Sequence, residues 1–189
     1  MEKLDPRTAA LVLIDLQKGI APFAGGPHSS AEVNARAGRL AARFRELKAP
    51  VVLVRVGWSA DGGDMLHPLT DEAPRNTTLP AHWWEYADEL DATDSDIHIT
   101  KRQWGAFHGT ELELQLRRRG ITQIVLGGVS TNIGVESTAR TAFELGFHQV
   151  LVEDAMSSSH ADHHRFAVGT IFPRLGRVRS TEQVLAMLA

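Results

Sequence analysis

Ala9-Ala10-Leu11-Val12-Leu13-Ile14-Asp15 decides the fold. Six apolar residues run without interruption into a carboxylate. An apolar run of this length, with no polar alternation, reads as a strand buried on both faces, as in a parallel sheet. A sheet covered on both faces needs helices between its strands, and the rest of the chain supplies them. A helical pattern over 30–47 has Ser29 or Ser30 as N-cap and Glu32 in its first turn. Residues 50–56 read as a second, Val-rich strand and 96–100 as a weaker third. An amphipathic helix over 110–119, with Leu112, Leu114 and Leu116 suggesting burial, stops at Gly120. A fourth strand covers 121–126, and a helix over 131–145 stops at Gly146. A fifth strand lies at 150–152, a helix at 162–171, a short strand at 177–179 and a closing helix from Thr181. The expectation is one domain over 1–189. It is an α/β, three-layer Rossmann-like fold with a mostly parallel sheet and helices on both faces.

Ligands in such folds bind outside the carboxyl ends of the strands. Polar residues just after a strand therefore outrank others. Asp15 follows the first strand, Lys101 the third, and a turn over 130–134 the fourth. A buried carboxylate needs a partner, and Lys101 is a natural one; a purely structural ion pair is the plain reading of any such pair. In the turn, the first amides of the following helix are unpaired and aligned with the helix dipole, which makes an anion or oxyanion site. A simple strand–helix junction capped by Thr131 is the plain alternative. Gly134 carries no side chain and leaves space for substrate or water. Gln17 and Trp104 fall near the same edge as lining residues.

The bulk properties narrow the function. The chain has 189 residues, a net charge of −3 and no cysteine. That charge gives no footprint for nucleic acid or an anionic membrane. The absence of cysteine excludes disulfides, iron–sulfur clusters and thiolate metal sites. No signal peptide is visible and no apolar run approaches the ~18 residues of a membrane span, so a cytoplasmic protein is expected. Asp15-Leu16-Gln17-Lys18-Gly19 is not a dinucleotide fingerprint, and no Walker lysine follows the glycines. No cofactor is expected. The densest histidine group, His160, His163 and His164, has one-face helical spacing, and no carboxylate or thiolate stands at a known ligand spacing from it. A side-chain nucleophile at Ser130 or Thr131 needs an adjacent base, and no histidine is placed for it in the sequence. Residues 58–95, rich in Asp and Pro and holding Trp83, Trp84 and Tyr86, read as a lid, a binding loop or an oligomer contact.

Together these motifs resemble the isochorismatase-like hydrolases over nearly the whole chain. The resemblance rests on Ile14-Asp15-Leu16-Gln17, on Lys101 followed by Gly105-Ala106-Phe107 and Gly109-Thr110, and on the run Gly128-Val129-Ser130-Thr131-Asn132-Ile133-Gly134-Val135. It includes Glu153-Asp154-Ala155 as well. The chain looks nearest to the YecD-type branch, which also has glycine where many members carry a catalytic cysteine. The resemblance implies a strand order similar to 3-2-1-4-5-6 and a cis peptide at Val129–Ser130. It implies Asp15 as acid/base with Lys101 as its partner, and the Ser130 and Gly134 amides as an oxyanion hole. It further implies a homo-oligomer, for which the aromatic Trp83-Trp84 segment reads as a contact surface.

Gly134 makes covalent thiol catalysis impossible. True isochorismatases share that glycine and hydrolyse a vinyl ether by protonating carbon. They usually show an aromatic and an arginine soon after the lysine. This chain has Arg102 and Gln103 there, with Trp104 at the following tyrosine position, so isochorismate itself is not implied. Metal-binding nicotinamidases of the family carry Asp-x-His after the second strand. Here that place reads Arg55-Val56-Gly57-Trp58-Ser59, with His67 standing apart, and no metal is expected. The reading is a hydrolase of a small-molecule substrate that is not cysteine-dependent. The alternative is an inert binding or assembly protein on the same scaffold. Burial raises the pKa of Asp15 and the Lys101 ammonium lowers it; the sequence leaves open whether Asp15 gives or takes a proton.

Overall fold

A computed structural model describes residues 3–72 and 79–188. Six strands, β1 (Ala9–Ile14), β2 (Val51–Val56), β3 (Ile97–Lys101), β4 (Gln123–Val129), β5 (His148–Ser157) and β6 (Arg177–Arg179), form one sheet. Their order is β3-β2-β1-β4-β5-β6, and every adjacent pair is parallel. The helices are α1 (Ser30–Glu46), α2 (Leu112–Arg118), α3 (Glu136–Glu144), α4 (Ala161–Phe166), α5 (Phe172–Leu175) and α6 (Thr181–Met187).

β1 is central and wholly buried, and its alternate residues feed two separate cores. Leu11 and Leu13 pack with Val33, Ala37, Leu40 and Phe44 of α1. Val12 and Ile14 pack on the opposite face with Leu112 and Leu116 of α2 and Ala139 and Ala142 of α3. The unbroken apolar run follows from this two-sided burial. α1 starts on a full capping box, Ser29 with Glu32, an arrangement that stabilises a helix by about 1 kcal/mol.

Several local expectations are corrected. Leu114 is 48% exposed while Leu112 and Leu116 are fully buried; residues four apart share a helix face and the one between them does not. β5 is much longer than 150–152, and Glu153-Asp154-Ala155 lies inside it rather than after it. Leu126 pairs with Leu151, but Gly128 pairs with Met156, so β5 bulges over its Glu153 and Asp154. The helix expected over 131–145 begins as one wide turn, Thr131–Val135, before α3. The helix expected over 162–171 is likewise split into α4 and a wide turn, Ala167–Ile171. A 3-10 turn at Lys18–Phe23 has no counterpart in the sequence reading.

Of the Trp83-Trp84 pair, Trp83 is turned inward and Trp84 is half-buried. Trp83 is buried and its indole N–H donates to the Val56 carbonyl at 2.7 Å. Trp84 lies against Gly57, where a Cβ would come within 2.2 Å of its ring. Tyr86 and the Asp88–Leu90 turn continue this inner packing, with Leu90 buried beside α1. Residues 79–95 therefore cover the core, whereas 73–78 of the same segment lie outside the described residues. Among the described residues no helix is long and apolar enough to cross a membrane.

Candidate active site

The carboxyl ends of β1, β3 and β4 meet at one edge. Asp15 leaves β1 with φ of +52°, a left-handed conformation uncommon outside glycine that asparagine and aspartate tolerate best. Its backbone N–H stays tied to the Val54 carbonyl at 2.9 Å. Lys101, the last residue of β3, donates from Nζ to Asp15 Oδ2 at 2.7 Å and to the Gln103 carbonyl at 3.1 Å. Both side chains are almost wholly buried. Asp15 Oδ1 is buried too and has no hydrogen-bond partner among the described residues. A buried oxygen left unpaired is uncommon and costly, and here it belongs to the group expected to handle a proton.

Burial and pairing oppose each other at Asp15, and burial wins. Desolvation pushes the carboxyl up to about 6, against the lowering effect of the Lys101 ammonium. The group therefore exchanges its proton close to neutrality, the range in which general acid–base catalysis is most efficient.

The turn after β4 faces this pair. The Val129–Ser130 peptide is cis. Gly128, with φ of +128°, lies so close to β1 that a Cβ would come within 2.2 Å of the Ile14 carbonyl oxygen; only glycine satisfies both demands. The Ser130 carbonyl accepts from the Ile133 N–H at 3.1 Å and the Val135 N–H at 3.2 Å. The second of these bonds is one residue longer than an α-helical one, and such widened turns recur at functional sites. Gly134 is held from below by Thr138, whose hydroxyl donates to the Gly134 carbonyl at 2.7 Å. A Cβ at Gly134 would lie 3.1 Å from Ile14 Cγ2, 3.3 Å from Asp15 Oδ2 and 3.4 Å from the Trp104 carbonyl oxygen. A side chain at this position would thus sit against the Asp15–Lys101 pair.

The remaining expected residues fall into different roles. Gln17 is buried and fully committed: its amide nitrogen donates to the Val56 carbonyl at 3.1 Å and the Trp83 carbonyl at 2.8 Å. Its amide oxygen accepts from the Val56 N–H at 2.7 Å. It brackets β2 to the tryptophan segment, which leaves it a positioning residue with no free amide group for a substrate. Trp104 brings its carbonyl to Gly134, and the residue as a whole is 60% exposed.

Thr131 is fully buried, and its hydroxyl meets His164 Nδ1 at 2.9 Å. It does not cap the turn. The expectation that no histidine stands beside this hydroxyl is therefore overturned. The two are 33 positions apart, and only the docking of α4 on the turn brings them together. The three-histidine group is also split: His164 is buried and points inward, while His160 and His163 are exposed and stack edge to face at 5.1 Å.

A six-stranded parallel sheet with helices on both faces, and a buried aspartate–lysine pair facing a strand–helix turn at the carboxyl ends of its strands, defines a Rossmann-like α/β domain with its candidate site at that edge. The sequence profile of the isochorismatase domain matches residues 9–183, and the chain belongs to the isochorismatase family. It is 58% identical over 188 residues to the uncharacterized isochorismatase family protein YecD of Escherichia coli O157:H7, with 100% of both chains covered. It is 47% identical to YwoC of Bacillus subtilis strain 168, another uncharacterized member, over 96% of this chain and 95% of that one. The solved structure of an isochorismatase family protein from Burkholderia thailandensis superposes with a TM-score of 0.95 at 46% identity. That superposition covers 100% of this chain and 98% of the other.

Proposed function

We propose that this protein hydrolyses a small metabolite by proton transfer from Asp15, without a covalent enzyme intermediate, and that enol ethers are its leading substrate class. The observation that carries this reading is the raised Asp15 carboxyl, whose second oxygen has no partner among the described residues.

Lys101 holds Oδ2, so the exchangeable proton belongs on Oδ1. Asp15 delivers it to the terminal carbon of the substrate's C=C bond, and the electron pair of that bond forms the new C–H bond. The resulting oxocarbenium ion faces a carboxylate that Lys101 stabilises. Water adds to the cationic carbon as Asp15 Oδ1 takes back the water's proton, and the hemiketal collapses to a carbonyl compound and an alcohol. Asp15 ends as it began. The Ser130 and Gly134 amides hold a substrate carboxylate or a developing anion at the helix start. Gly134 lets the turn lie directly against Ile14 and Asp15, closer than a side chain would easily allow, and the exposed Trp104 side chain lines the approach.

A hydrolysis panel of small metabolites, including isochorismate and other enol ethers, tests this reading with Asp15→Asn as the control. Turnover by the native chain that disappears in Asp15→Asn is the expected result. Turnover retained in that variant removes Asp15 from the mechanism. Tight binding without turnover by the native chain moves the assignment to a binding protein on this scaffold.

A further inference from the structure

On the far side of the turn from Asp15, three ligand-type side chains converge that the proposed reaction does not use. They are His28, just before α1, Glu153, in the β5 bulge, and His164, in α4. One donor atom from each lies within 4.8 Å of the other two, and this is the one such three-member grouping among the described residues. We infer that His28, Glu153 and His164 form a site for a divalent transition-metal cation, Zn2+ or one of similar chemistry.

Four features support a site rather than a chance grouping. First, the donor set is two imidazoles and a carboxylate, a set that binds zinc with a fourth position open to water. Second, neither the His28 ring nor the Glu153 carboxylate makes a hydrogen bond or salt bridge with any described residue. Third, His164 is oriented from behind: its Nδ1 is engaged by the Thr131 hydroxyl at 2.9 Å, leaving Nε2 for the cluster. Metal-ligating histidines are typically fixed in this way through the other ring nitrogen. Fourth, Glu153 reaches the cluster because β5 bulges there; bulges commonly re-aim a side chain beside a functional site.

The local electrostatics agree with the geometry. Desolvation lowers His164 to about 4 and, with Arg36 nearby, lowers His28 as well. Glu153 is raised, first by burial and then by the neighbouring Asp154. The cation would clamp the β1–α1 connection to β5 and α4. Through His164 it would also fix Thr131, the first residue of the turn that carries Gly134. This departs from the expectation of no metal, which looked for ligands near one another in sequence.

The test uses the full chain, stripped of metal with a chelator and dialysed. Titration with Zn2+ should show about one strong equivalent per chain, with a rise in melting temperature. Co2+ in its place should give the visible absorption of a low-symmetry, four-coordinate ion. His28→Gln and Glu153→Gln should each weaken Zn2+ binding by at least roughly 10–100-fold, with metal-free melting temperatures near that of the native chain. Thr131→Val, which leaves all three ligands in place, should weaken it by roughly 10-fold. His160→Ala combined with His163→Ala should leave it unchanged. The inference is overturned if the native chain takes up no Zn2+. It is also overturned if uptake survives both His28→Gln and Glu153→Gln, or follows the exposed His160–His163 pair.

Discussion

The two polar clusters on either side of the 130–134 turn are opposites. Asp15 and Lys101 are nearly sealed from solvent and are tied by one 2.7 Å bond between a carboxyl group and an amine. His28, Glu153 and His164 are less enclosed as a group, with no hydrogen bond or salt bridge among the three, and burial lowers both imidazoles. One turn serves both, with Gly134 facing the first cluster and Thr131 the second. The contrast teaches how burial is used. In the first cluster it sets a proton's affinity by working against a cation that is already present. In the second it disfavours the charged form of each of the three side chains, lowering the two imidazoles and raising the carboxyl.

The comparison breaks most directly at Asp15. Asp15→Asn should lower turnover of any substrate found by roughly 10²–10⁴-fold, the range of a positioned general acid, while leaving Zn2+ binding at the second cluster intact. Loss of both functions together, with the fold preserved, would mean that the clusters are not separable. Lys101→Met leaves Asp15 buried without its cation, and breaking such a pair costs roughly 3–5 kcal/mol, read as a fall in melting temperature. It also removes the influence that lowers Asp15, so the carboxyl should titrate at still higher pH.

The pH dependence of turnover follows with a definite sign. A general acid raised to about 6 works in its protonated form. kcat/KM should therefore fall as pH rises through about 6, by tenfold per pH unit well above it. A rise with pH over the same interval would make Asp15 a base that activates water. The stability linkage runs alongside. Between the ordinary aspartate value near 3.8 and about 6, the folded chain holds a proton that the unfolded chain has lost, so Asp15 makes stability fall as pH rises across that window.

A smaller effect is expected from Gly134→Ala. Its Cβ would stand 3.1 Å from Ile14 Cγ2 and 3.3 Å from Asp15 Oδ2, a tight but not prohibitive fit. The fold should lose about 1 kcal/mol, and turnover should drop because the methyl group presses on the Asp15 carboxyl. The smallest is Leu114→Gln: on the exposed face of α2, it should change stability by less than about 0.5 kcal/mol.

Much of the first cluster was legible in the sequence. An apolar run ending in a carboxylate, a lysine closing another strand and a glycine-rich turn are each local patterns, and a parallel sheet must bring such strand ends to one edge. The order of the sheet and the cis Val129–Ser130 peptide followed from family resemblance, and the structure shows both. The second cluster was not legible. His28, Glu153 and His164 come from a loop, a strand bulge and a helix, and no spacing rule links them. The bulge itself arises from how β5 pairs with β4, which the apolar pattern of 150–152 does not encode. Gln17 and Trp83 were misread for a related reason. Polarity and aromaticity suggested a cleft and a surface, but each side chain satisfies buried backbone groups of β2. Such backbone demand has no signature in residue type alone.

The central claim is that burial outweighs Lys101 and keeps a proton on Asp15 close to neutrality. A carbon-13 NMR titration of the side-chain carboxyl resonances, with the Asp15 signal assigned by its absence in Asp15→Asn, measures this without any substrate. The account predicts a midpoint near 6. A midpoint at or below the ordinary aspartate value of about 3.9 would show that the ion pair dominates and would contradict the proposed role as an acid.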